Sequence, residues 1–520
     1  MHLSLRASAP VRPEQLLGGD NPLRGDNLMI GKQLLMNDNA VTLHEAAQVV
    51  GDRRLEASEA ADSGEVRSPW SGEIVSHYPL STPEDVATAV GIAVETMCTT
   101  SIDPYRRFEI LRAASEMIAQ RAPQLAQLIV AESAKPIRDA HTEVLRAIQS
   151  VLLCAEEAKR LTGEVVPVDG APGQSHRVGL TLLRPSGVVA AITPFNAPIN
   201  QLTHKVHAAV AAGCAVVLKP SELTPTCATA LVDILHDAGL PPGWVQVVHG
   251  GADIGRALVT DPRVRVVTFT GSVRAGREVR VLAGLRRTVL ELGSSSANIV
   301  HRDANLELAA TALAKGAFTY AGQLCISVQR ILVHEAVHAE LVVLLADRIR
   351  ALEVGDPTED RTDVGPMISE AAARRAVDTV ATSAQNGARV VTGGTTDGPL
   401  MQPTLLDGAT PEDEAFRDEI FAPVATVTTY RDVDEAIGLA NATPYGLSAG
   451  VFTANIDVAF AMAKYIESGT VNINDVSTFR LDIAPFGGLR DSGMGREGIP
   501  YAIREFCDQR YMSFALSSPE

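Results

Sequence analysis

A chain of 520 residues exceeds what one hydrophobic core ordinarily serves, so two or more domains are expected. The composition, 46% hydrophobic and 21% charged, is that of a globular protein. The balance of 45 Lys and Arg against 62 Asp and Glu leaves a formal charge of −17, which argues against a nucleic-acid or anionic-membrane partner.

Residues 1 to about 55 carry scattered Pro, Gly and Asn with little periodicity and are expected to be an extension whose composition permits flexibility. No apolar stretch follows a basic start, so no signal peptide is expected, and no apolar run is long enough to span a bilayer. Helical periodicity begins after Ser81-Thr82-Pro83-Glu84, an N-cap followed by Pro in the first turn. Long Ala- and Leu-rich helices are predicted next, for example over 105–120 and 140–161.

From Val188 the pattern changes. Short apolar runs at 188–193, 215–218, 245–248 and 264–269 alternate with helical segments, which implies βαβ crossovers and a parallel sheet. A second α/β region is expected over about 293–485. The cysteines Cys98, Cys154, Cys214, Cys227, Cys325 and Cys507 lie far apart with no CxxC pair. That spacing argues against a zinc site and suggests a reducing cytoplasm rather than a disulfide framework.

Six segments carry chemistry. Thr193-Pro194-Phe195-Asn196-Ala197-Pro198 follows a strand, and the Asn196 amide is a candidate oxyanion donor. Lys219 and Glu222, at the next strand end, are candidates to grip ribose hydroxyls. Gly271-Ser272-Val273-Arg274-Ala275-Gly276 is a strand-to-helix turn able to receive a pyrophosphate, although it is not G-x-G-x-x-G. Glu291 and Cys325 read as a base and a thiol nucleophile. Glu419 and Phe421 could hold a second ribose and flank a nicotinamide. Pro485 to Gly498 is a glycine-dense loop without the ending of a phosphate cradle. Each alone also fits a plainer reading: a Pro-rich turn, a charged surface turn, a core cysteine or an acidic helix end.

Together and in this order, they resemble the aldehyde dehydrogenase superfamily over roughly residues 60–515. The resemblance implies an α/β fold with a Rossmann-type cofactor domain (56–164 and 188–292), a catalytic α/β domain (293–485) and a β oligomerisation arm (165–187 and 499–520) in a homodimer or homotetramer. It also implies a mechanism. Cys325 attacks the aldehyde, Asn196 with the Cys325 backbone N–H stabilises the oxyanion, hydride passes to the nicotinamide, and Glu291 activates the water that hydrolyses the thioester. Lys205 matches a lysine supporting the proton path. Lys219 and Glu222 match adenosine-ribose contacts, Gly271, Ser272 and Gly276 the pyrophosphate turn, and Glu419 and Phe421 the nicotinamide side. The chain departs from the common pattern at Phe195 (often Trp), Ser294 and Ala422 (often Gly).

A carboxylate at Glu222 favours NAD by accepting from a free 2′-hydroxyl, while Lys219 leaves NADP open. Stretches around Cys325-Ile326-Ser327 and Gly495-Arg496-Glu497 look like the branch acting on small polar aldehydes such as lactaldehyde. Arg480 then has two readings, contact with an anionic or hydroxylated tail or bracing of its loop. The rivals are a CoA-acylating dehydrogenase, a thiol esterase and a non-catalytic NAD-binding homologue. Glu291 argues against the first, the nucleotide segments against the second, and the joint presence of Cys325, Glu291 and Asn196 against the third.

Overall fold

The computed structural model describes residues 43–517. Five parallel strands form the heart of the first sheet: in spatial order Arg287–Glu291, Val264–Thr270, Val188–Ile192, Val216–Lys219 and Val245–Val247. The last three of these are buried along their whole length, which is why they read as unbroken apolar runs rather than alternating ones. Helices cover both faces, and their apolar sides join the strands in one large core that includes Ile110, Leu111, Val144, Val151, Leu231 and Ile254.

Chain order reverses at Val188–Ile192. The following strands step away on one side, and Val264–Thr270 returns to pair on the other. In an open α/β sheet, the crevice for ligands lies outside the carboxyl ends of the strands at such a reversal. Antiparallel strands close both sides of this sheet: Gly493–Met494 pairs with Leu290 and Glu291, and Ala47–Val50 pairs with Val247.

That last pairing corrects the expected extension. Residues 43–55 are not irregular, since His44–Glu45, Ala47–Val50 and Arg53–Glu56 are strands and Ala46 and Ala47 are fully buried. The remainder of the expected extension, residues 1–42, lies outside the described residues.

The second sheet runs Arg389–Thr392, Thr404–Asp407, Val424–Tyr430, Val328–His334, Ser296–Val300, Ser448–Phe452 and Thr470–Ile473, parallel except for its first strand. Only Leu292–Ser295 separate the end of Arg287–Glu291 from the start of Ser296–Val300. The carboxyl edge of the first sheet therefore faces the amino edge of the second.

A third, antiparallel sheet joins Val165–Val166, Arg177–Pro185 and Cys507–Ala515. The C-terminal piece of this arm starts later than expected. Ile499–Glu505 is a helix whose Ile499, Ala502 and Ile503 pack into the first core. The helix after Thr82 forms as its sequence predicts. Thr82 caps Pro83–Thr99, and the Asp85 carboxylate accepts the Thr82 backbone N–H at 2.8 Å. No helix among the described residues is long and apolar enough to cross a membrane.

Candidate active site

The carboxyl edge of the first sheet supplies Asn196, Lys219, the Gly271-Ser272 turn and Glu291; the amino edge of the second supplies Gly293, Cys325, Glu419 and Phe421. Residues spread over more than 200 positions thus converge on one cleft because two sheets meet edge to edge.

Cys325 ends a turn with unusual backbone. Tyr320, Ala321 and Gly322 all have left-handed φ, at 48°, 52° and 67°. Such conformations in non-glycine residues persist only where the surroundings over-determine them. Here the Tyr320 hydroxyl donates to the Ser133 carbonyl at 3.0 Å, and its backbone N–H donates to Asp139 at 3.2 Å. At Gly322 a side-chain carbon would stand 2.1 Å from the Ala422 carbonyl oxygen, so only glycine fits. Beyond the cysteine, Ser477 donates its hydroxyl to the Ile326 carbonyl at 2.8 Å and ties the loop before Arg480 to the thiol's own segment.

The Cys325 thiol is pushed up to about 12 by burial, with the Glu291 carboxylate the strongest charge acting on it, followed by Glu419. Glu291 is buried, and neither of its oxygens has a hydrogen-bond partner among the described residues. Burial and the neighbouring Glu497 carboxylate raise its pKa to about 8. A buried acceptor with no partner is costly in a structural role, and such a group in a cleft is a candidate for acid–base work. The Asn196 amide donates to the Gln323 carbonyl at 2.9 Å, two residues before the cysteine, and still has its second N–H.

Lys205 is fully buried on a π-helical turn, Thr203–His207. Its ammonium pairs with Glu497 at 2.6 Å and touches the Thr268 hydroxyl at 3.4 Å, and its charge acts on Glu291 against that of Glu497. Glu497 was hidden in the glycine-dense loop. Nothing in its sequence context distinguishes a buried carboxylate from a charged turn, so sequence reading missed it. The ion network continues. Arg480 pairs with Glu497 at 3.3 Å, lies 3.8 Å from Asp482, and stacks over Phe486 at 3.8 Å. Asp482 in turn holds Arg146 at 2.8 Å and the fully buried His204 at 3.0 Å. These contacts describe the bracing reading of Arg480.

The residues expected to hold a nicotinamide dinucleotide line the same edge. Lys219 is buried beneath its strand end and donates to the Pro220 carbonyl at 3.1 Å. Burial lowers its pKa against the pull of Glu222 and Asp253. Glu222 is exposed beside it. Ser272 caps the 11-residue helix Val273–Ala283, accepting from the Ala275 N–H at 3.3 Å, and so turns the helix's open N–H groups toward the cleft edge. Gly276 lets this helix close onto Leu292, because a side-chain carbon there would come within 2.3 Å of it.

Opposite, Glu419 accepts from the Ser294 N–H at 3.0 Å, and burial pushes its carboxyl up to about 7. Its other oxygen lies 2.3 Å from where a side-chain carbon on Gly293 would begin, so that glycine admits the carboxylate. Phe421, with φ 53°, meets Phe195 edge to face at 6.1 Å. Both rings, with Glu419, line a cavity of about 240 Å³. An anion-binding helix end, a carboxylate at each sheet edge and an aromatic pair bounding a cavity fit a dinucleotide.

The family follows from this fold and this cleft together. The chain belongs to the aldehyde dehydrogenase family, whose model matches residues 56–512. It is 42% identical over 457 residues to the 3-sulfolactaldehyde dehydrogenase of Priestia aryabhattai, covering 88% of this chain and 96% of that one. It is also 40% identical over 447 residues to aspartate-semialdehyde dehydrogenase 1 of Pseudomonas canavaninivorans, covering 85% and 94%. Among solved structures, the NAD-dependent aldehyde dehydrogenase of Sinorhizobium meliloti superposes with a TM-score of 0.88 at 34% identity, over 93% of this chain and 97% of that one.

Proposed function

We propose that this protein oxidises a small polar or anionic aldehyde to its carboxylic acid with NAD or NADP, through a covalent intermediate on Cys325. The observation that carries the reading is the buried, partnerless Glu291 carboxylate, whose charge acts on the Cys325 thiol more strongly than any other. The Cys325 sulfur adds to the aldehyde carbon as the thiol gives its proton up to water, and the second N–H of Asn196 would stabilise the oxyanion of the resulting thiohemiacetal. The bound nicotinamide supplies the hydride acceptor, leaving a thioester on Cys325. Glu291 then takes a proton from water, the water oxygen adds to the thioester carbon, the C–S bond breaks to give the acid, and the departing thiolate takes the proton from Glu291 to restore the thiol. The Glu497 and Lys205 charges act on Glu291 in opposite directions and would tune how readily it takes that proton. A base beside the thioester favours hydrolysis over transfer to CoA.

Lys219 and Glu222 would hold the adenosine ribose, the Gly271–Gly276 turn the pyrophosphate, and Glu419 and Phe421 the nicotinamide side. The anionic preference rests on charge. Arg480 is a cation that acts on the Cys325 thiol, within a network in which Arg480 and Lys205 pair with Glu497 and Arg146 pairs with Asp482. The relatives named for 3-sulfolactaldehyde and aspartate semialdehyde act on short aldehydes that carry an anion. The six thiols are all free, in keeping with a reducing cytoplasm.

The test is NADH or NADPH formation across a panel of short anionic and neutral aldehydes, with Cys325→Ala as control. Cys325-dependent reduction, with kcat/KM highest for the anionic members, is expected. Arg480→Gln separates its two readings: a rise in KM of at least about tenfold for anionic aldehydes alone would assign it to the substrate tail, whereas an equal effect on neutral ones would leave bracing alone.

A further inference from the structure

Lys135 lies outside every segment the mechanism uses, yet it is buried at the junction of the two loops that must cooperate. Its ammonium donates to the backbone carbonyl of Asn196 at 2.7 Å and lies 4.6 Å above the ring of Tyr320, in the left-handed turn that delivers Cys325. It also pairs with the buried carboxylate of Glu143. The other Glu143 oxygen accepts the backbone N–H groups of Ile199 at 2.9 Å and Asn200 at 3.1 Å. The loop from Asn196 to Asn200 is therefore clamped at both ends. The turn is also closed on itself, with the Gln323 N–H donating to the Tyr320 carbonyl at 3.1 Å. A buried ion pair is a weak source of stability, because desolvation offsets most of its attraction, but its geometry is demanding.

We infer that Lys135, anchored by Glu143, is a positioning residue that sets where the Asn196 amide stands relative to the Cys325 thiol. The inference rests on the reading of Asn196 as oxyanion donor. Displacing such a donor by about 1 Å can cost on the order of 100-fold in rate without touching the reacting groups.

The experiment is a double-mutant cycle between Asn196→Ala and the neutral pair Lys135→Met/Glu143→Gln, which avoids leaving either charge buried alone. For each enzyme, kcat and KM are measured with NAD and the fastest aldehyde of the panel, together with the rate of Cys325 alkylation by iodoacetamide. The paired variant should lose about 10- to 100-fold in kcat, with KM nearly unchanged and alkylation within about twofold of wild type. On the Asn196→Ala background, the same change should cost less than about threefold, because Lys135 acts through Asn196. Losses that multiply in full, or a parallel collapse of alkylation, would overturn the inference. Unchanged turnover by Asn196→Ala alone would instead sink the reading of Asn196. If the neutral pair does not fold, the cycle is run with Lys135→Arg, which keeps the charge but alters the reach, and is judged by the same criterion.

Discussion

Glu291 concentrates the chemistry in a single titration. Held near 8 by burial and by Glu497, its carboxyl keeps a proton at neutral pH, and only the ionised form can act as base. Thioester hydrolysis should therefore accelerate as pH rises through about 8, and Glu291→Gln should abolish that rise. The same shift has a consequence for stability. Between the ordinary value of 4.5 and about 8, the folded chain holds this proton more tightly than the unfolded chain does. Stability contributed by the neutral buried carboxyl is thus full below 4.5 and is lost as pH rises toward 8. Glu291→Gln, which cannot ionise, should melt above wild type at pH 9 by more than it does at pH 5. A margin that shrinks as pH rises would contradict the assignment. At this scale Cys325, Glu291 and Asn196 stood out as candidates only through the resemblance that their segments carry together. Glu497, Lys135 and Glu143 did not, because what singles them out is burial and a partner 56 to 292 residues away, as in Glu143 with Ile199 and Lys205 with Glu497.

Among the local elements, the turn before Cys325 strings three left-handed residues together. Gly322→Ala would place a carbon against the rigid Ala422 carbonyl at a left-handed φ. It should cost about 1–3 kcal/mol or more and most of the turnover. Gly438→Ala is the control: this glycine sits inside the helix Val433–Ala440 with open space where a side chain would go. That change should raise the melting temperature slightly, by about 0.5–1 kcal/mol of helix propensity. Thermal melts of both variants check the contrast, and a neutral Gly322→Ala would show that the turn is slack. Long helices and buried parallel strands were visible in the sequence because their periods are sustained. Ala47–Val50 was not, since four residues pairing antiparallel to a sheet edge leave no periodic signal. Ile499–Glu505 was misplaced into the arm because its apolar face is explained only by the core it joins.

For the whole molecule, one face of the third sheet leaves Val178, Leu182 and Phe514 between 39% and 48% exposed, too much apolar surface for a face meant for water. We expect it to be covered by a second copy, so light scattering should report a dimer or tetramer, and truncation after Glu505 a smaller species. A full-length monomer would refute this. The meeting of two sheet edges, which gathers the site, could be read from chain order only as far as each sheet separately; the contact between them is tertiary.

The central claim is that hydride transfer needs Cys325 while release of the acid needs Glu291, and a stopped-flow burst of NADH tests it most directly. Glu291→Gln should give a burst approaching one NADH per site, followed by a steady state slower by about 100-fold or more. Turnover at the wild-type rate, or loss of the burst along with the steady state, would contradict the division of labour between the two residues.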